Sequence, residues 1–106
     1  MTSASLTHNG TPDYYYDGST GDLWVEYKQL KAMPRNGMVE PFVLLTEHQQ
    51  RWILRRYKIG GNARIVVGLP NKAAVLAIPK EGKFPADNAL SYDEIAKWIC
   101  EFCGCS

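Results

Sequence analysis

Histidine is scarce in this chain of 106 residues, cysteine is confined to one end, and net charge is almost nil. The histidines are two, His8 and His48. All three cysteines, Cys100, Cys103 and Cys105, crowd the C-terminal end, and an odd number there is no disulfide framework. A Cys-x-x-Cys-x-Cys zinc site would need His8 or His48 as a fourth ligand, so incidental thiols at a helix end are the simpler reading. A net charge of +1 excludes a basic coat for nonspecific nucleic-acid binding and requires any such contact to be local. No apolar run is long enough to cross a membrane. Residues 1–12 have no basic start, no apolar segment and no acid, which argues against a secretory signal. A flexible arm over 1–11 and a reducing cytoplasm, the host's if the protein is phage-encoded, are expected. Internal repeats and low-complexity stretches are also missing.

What is present, with 45% hydrophobic residues, is enough for one domain over 12–106 with a single modest core. The run Leu23-Trp24-Val25-Glu26-Tyr27-Lys28 is strongly strand-like. Alternation across a strand puts Trp24, Glu26 and Lys28 on one face and Leu23, Val25 and Tyr27 on the other. Upstream, Asp13 opens the aromatic run Tyr14-Tyr15-Tyr16, and residues 17–22 are turn formers. A hairpin of the two runs brings Asp13 close to Glu26. Two carboxylates beside one ammonium group suit a hard divalent cation and an anionic substrate, the combination used in phosphodiester hydrolysis. Asp17 and Asp22 are the nearby acids, with turn positions as their expected role.

Residues 29–41 hold the breakers of a loop, from which Lys31 and Arg35 either reach a phosphate backbone or simply face water. A helix is expected over 44–58 with Thr46 as N-cap and Glu47 in the first turn. Its inward face carries Leu45, Gln49, Trp52, Ile53 and Arg56, while Arg51, Arg55 and Lys58 point to solvent. Gln49, a polar amide on an apolar face, needs a partner. Residues 63–68 and 73–78 read as buried strands, and Ser91-x-x-Glu94 opens a final amphipathic helix ending at Gly104.

Taken together, Pro12-Asp13, Glu26-x-Lys28, a glutamine-bearing helix, the Gly60-Gly61-Asn62 turn and the strand 63–68 resemble the PD-(D/E)XK nuclease superfamily. The similarity is to its small phage and bacterial members, the VRR-NUC type and the Holliday-junction resolvases, over roughly residues 12–79. It implies a compact mixed β-sheet flanked by helices, a restriction-endonuclease-like α/β core lacking the usual N-terminal helix. It further implies a DNA endonuclease using Mg²⁺ or Mn²⁺, held by Asp13, Glu26 and the backbone carbonyl of Tyr27. Lys28 would act on the attacking water, Gln49 would sit near the metal or scissile phosphate, and Lys31 and Arg35 would touch DNA. Branched or structured DNA is one expected substrate and a homodimer one expected assembly. The departure is the missing acidic helix before Asp13. It leaves two alternatives standing: a non-catalytic binding protein on a nuclease scaffold, such as a phage inhibitor of a host defence complex, and a plain Glu26–Lys28 salt bridge.

Overall fold

The period-two runs pair into one sheet, and the two helical runs cover its opposite faces. The computed structural model describes residues 12–104. Strands β1 (Tyr14–Asp17) and β2 (Asp22–Gln29) form an antiparallel hairpin in which Tyr14 pairs with Val25. After β2 come a short strand β3 (Met38–Val39), a 3₁₀ turn (Phe42–Leu44) and helix α1 (Glu47–Gly60). Strand β4 (Ala63–Gly68) then runs parallel to β2, with Glu26 opposite Ile65, and β5 (Ala73–Ala77) returns antiparallel. A short β6 (Phe84–Pro85), a 3₁₀ turn (Ala86–Asn88), β7 (Leu90–Ser91) and helix α2 (Tyr92–Cys103) complete the order. The main sheet is ordered β1-β2-β4-β5-β7, and β3 pairs with β6 apart from it.

Alternation divides the core in two. Ala63, Ile65, Val67, Val75 and Ala77 pack beneath Ile53 of α1, whereas Leu23, Val25, Val66 and Ala74 meet Ile95, Ile99 and Cys103 of α2. Full burial of a side chain such as Ile53 is worth roughly 2 kcal/mol, and it fixes strand register, since a one-residue slip would turn each apolar set to the wrong face. Both helices open with complete capping boxes, Thr46 with Gln49 and Ser91 with Glu94. Both close on left-handed glycines, Gly61 (φ 68°) and Gly104 (φ 76°). The hairpin turn docks on the end of α2, where Thr20 N–H donates to the Cys103 carbonyl at 3.0 Å.

The mixed α/β architecture matches the expectation, with differences at the edges. Helix α1 starts at Glu47 rather than 44, because Phe42–Leu44 winds as a 3₁₀ turn and Leu45 is extended. The 29–41 loop contains β3, whose partner lies more than forty residues away, beyond the reach of local pattern. Strand β5 stops at Ala77, two residues before Pro79, which has no N–H to donate to a ladder. Cys103 is a free thiol buried at the end of α2, whereas Cys100 is disulfide-bonded. Cys105 and the expected arm over 1–11 lie outside the described residues. No helix among the described residues is long and apolar enough to cross a membrane.

Candidate functional site

Glu26 lies mid-strand in β2 on the α1 side of the sheet and, among the described residues, is the one buried charged side chain, 2% exposed. Its two oxygens have different company. Oε2 accepts from Gln49 Nε2 at 3.1 Å and lies 3.6 Å from Lys28 Nζ. Oε1 is buried with no donor among the described residues. The aim of Gln49 follows from its place at the third position of α1. Its Oε1 accepts from Thr46 N–H at 2.9 Å in the capping box, which turns its NH₂ group toward Glu26. One side chain thus closes the helix end and holds the buried acid.

Asp13, exposed just ahead of β1, comes to the same spot from the hairpin. Its Oδ2 accepts from Tyr27 N–H at 3.3 Å, extending the β1–β2 ladder by a side chain where the strand has ended. Trp24 and Leu30 direct their N–H groups to the β4 side, to Asn62 and Gly68. Strand parity therefore turns both amide and carbonyl of Tyr27 to the Asp13 side. The Glu26 carboxyl is pushed up to about 7, first by burial and then by the charge of Asp13, against the opposing pull of Lys28. A hydrogen bond between the two carboxyls forms only when one of them carries a proton. Near neutral pH the Glu26 carboxyl is consequently close to half-protonated.

Of the residues singled out in the sequence, Asp13, Glu26, Lys28, Gln49 and the Tyr27 backbone meet in this place. Lys31 and Arg35 do not: both are exposed in the loop after β2, without an ion pair to either carboxylate. Asp22 sits at the far end of β2, accepting from Tyr15 Oη at 2.8 Å and Asn62 Nδ2 at 2.6 Å, and so is no member of the cluster. No group of three or more His, Cys, Asp or Glu side chains suited to a metal ion gathers among the described residues.

No protein-family model matches the sequence, and no curated protein does. Among solved structures, the chain is similar to that of Archaeoglobus fulgidus Hjc, a Holliday junction resolvase from an archaeal hyperthermophile. The two superpose with a TM-score of 0.54 over 93% of this chain and 83% of that one, at 17% sequence identity. This chain shares the fold of Hjc. At that identity the likeness speaks for the fold, and the chemistry has to be argued from the side chains.

Reading elements one at a time missed an aromatic file beside the carboxylates. Tyr15, Trp24 and Trp52 stand in sequence, with ring centroids 4.4 Å and 5.0 Å apart, and Arg56 lies 5.5 Å over the Trp52 ring. The signal was present in the periodicity, since Trp24 shares the Glu26 face of β2 and Trp52 the Gln49 face of α1.

Proposed function

We propose that the protein is a divalent-metal-dependent DNA endonuclease that hydrolyses phosphodiester bonds in branched or structured DNA. The observation that carries this reading is the Asp13–Glu26 carboxylate pair, with one buried oxygen left without a donor and a lysine and a glutamine bound to the other. That donor set fits Mg²⁺ or Mn²⁺. Hard cations take carboxylate and carbonyl oxygens, and Asp13, Glu26 Oε1 and the Tyr27 carbonyl are the groups that would hold one. When bound, such an ion acidifies a water and neutralises charge on the phosphate.

The chain's own groups do the rest. Gln49 and Lys28 both engage Oε2, which leaves Oε1 directed to the cation side. Lys28, whose side chain is 28% exposed, reaches from the buried acid toward the surface, where it orients the attacking water and stabilises negative charge on the phosphate. A dimer with two-fold symmetry makes the paired cuts that a branched substrate requires. Incubation with plasmid and synthetic junctions in Mg²⁺, Mn²⁺ or chelator tests the proposal. Metal-dependent nicking that disappears in both Asp13→Asn and Glu26→Gln is expected. Cleavage that survives chelation or either substitution would overturn it.

A second reading, a non-catalytic binder on the same scaffold, draws on the cluster's having only two acids among the described residues. It expects the wild-type protein to leave every DNA form intact with either metal.

A further inference from the structure

One stripe of α1, at steps of three and four residues, carries His48, Arg51, Trp52, Arg55, Arg56 and Ile59, and these side chains line an open groove of about 630 Å³. That volume is of the size that takes a small organic ligand or a nucleotide. Three of its six side chains are arginines. Among the described residues only Arg51 of the three has a carboxylate within ion-pairing distance, Glu47 at 3.6 Å, and it also meets His48 Nδ1 at 3.1 Å, while Arg56 feels the charge of Asp22 from farther off. The groove is thus a concentrated positive surface on a chain whose net charge is only +1.

The other half of the lining is aromatic and apolar. Trp52 meets Trp24 edge-on at 5.0 Å, and Trp24 continues to Tyr15, 47% exposed. This file leads to the carboxylates: Trp24 lies two residues before Glu26 on the same strand face, and Trp52 lies one helical turn beyond Gln49. Arginines recognise phosphates of any nucleic acid, but indole and phenol rings gain stacking energy only from bases whose faces are open. Duplex DNA hides those faces. A groove combining both chemistries is therefore matched to a strand without a partner.

We infer that the α1 groove binds an unpaired stretch of DNA and leads it to the Asp13–Glu26 pair. The inference rests on the nuclease reading for what happens at the end of the path, and it narrows the substrate to branched DNA carrying a single-stranded segment.

The experiment measures binding of a labelled oligothymidylate by fluorescence anisotropy in chelator, where no cleavage intervenes, together with quenching of tryptophan emission. Arg51→Glu/Arg55→Glu changes two exposed positions of the helix surface, so the fold is retained and far-ultraviolet circular dichroism checks it. The wild type is expected to bind with strong salt dependence and quenching, and the double variant about tenfold or more weakly. A fully paired duplex of equal length is also expected to bind about tenfold more weakly than the single strand. Equal affinity of variant and wild type, or of duplex and single strand, would overturn the inference. Failure here is separable from failure of the nuclease reading. Intact strand binding without any cleavage sinks only the latter, and cleavage of junctions without strand binding sinks only the groove.

Discussion

Replacing Glu26 by glutamine is the perturbation with the sharpest physical consequence. The glutamate is buried beside Asp13, and its carboxyl is raised from an ordinary value near 4.5 to about 7. A group raised in this way keeps its proton in the folded state while the unfolded chain has already lost it. Below about pH 4.5 both states are protonated and the residue is neutral toward stability. As pH rises from there to 7 the unfolded state sheds its proton first, and above 7 the folded protein carries the whole cost of a buried charge. At 1.36 kcal/mol per pH unit the cost reaches roughly 3 kcal/mol. Solvent entering beside the exposed Asp13 screens part of it, leaving about 2 kcal/mol.

Glu26→Gln removes that cost, and a glutamine amide retains the shape and adds an N–H toward Asp13. Urea denaturation at pH 5 and pH 8 reads the effect. The variant is expected to gain about 2 kcal/mol on the wild type between those two values, with titrating groups remote from Glu26 cancelling in the difference. Added Mn²⁺ at pH 8 is expected to restore wild-type stability and leave the variant unmoved, since a ligand stabilises only the state that binds it. A stability difference that stays the same at pH 5 and pH 8, or one that favours the wild type as pH rises, would refute the argument.

Lys28→Ala is expected to fold, bind DNA and lose cleavage by about two orders of magnitude. Because Lys28 counteracts the upward shift of Glu26, the half-saturation pH for Mn²⁺ binding should also move up, as a calorimetric pH series would show. Gln49→Leu deletes the side-chain half of the capping box and the Glu26 partner but keeps the Thr46 cap, so thermal denaturation should register a loss of about 1–2 kcal/mol together with reduced metal affinity. Gly18→Ala would drive a methyl group into the backbone carbonyl of Cys103, and denaturant titration should report a loss of about 1–3 kcal/mol with the site untouched. Light scattering at micromolar concentration should give the mass of two chains, and a monomer mass would count against paired cutting.

Much of the architecture was legible because burial imposes period. The alternation in 22–28 assigned both faces of β2 before any partner was known, and the 3.6-residue stripe placed Gln49 inward. Proximity of Asp13 to Glu26 followed from the turn formers at 17–22, which leave the hairpin little choice of register. What stayed hidden depends on distance along the chain. The β3–β6 pairing joins two-residue strands that carry no period of their own. The 3₁₀ turn at Phe42–Leu44 looks helical to any propensity argument, and its early end shows only in the extended backbone of Leu45. Lys31 and Arg35 are exposed in their loop, as charge and loop position implied, while the aromatic file beside Arg56 went unseen because a helical wheel shows what a helix turns away from its own core but not what stands beside it.

The cluster around Glu26 also shows why a short motif is tied to one fold. A glutamate followed two residues later by a lysine puts both on one strand face anywhere, and most such pairs are solvated and weak. Here the parallel pairing of β2 with β4 buries the glutamate under α1, and the price of that burial has to be met by donors. The antiparallel run of α1 back across β2 brings its first turn, with the cap-locked Gln49, over the acid, while the hairpin adds Asp13 from the other side. Removing any one of these three elements leaves a carboxylate that either reaches water or loses its asymmetry between Oε1 and Oε2. The geometry of this cluster is thus a property of where a strand, a helix cap and a hairpin intersect.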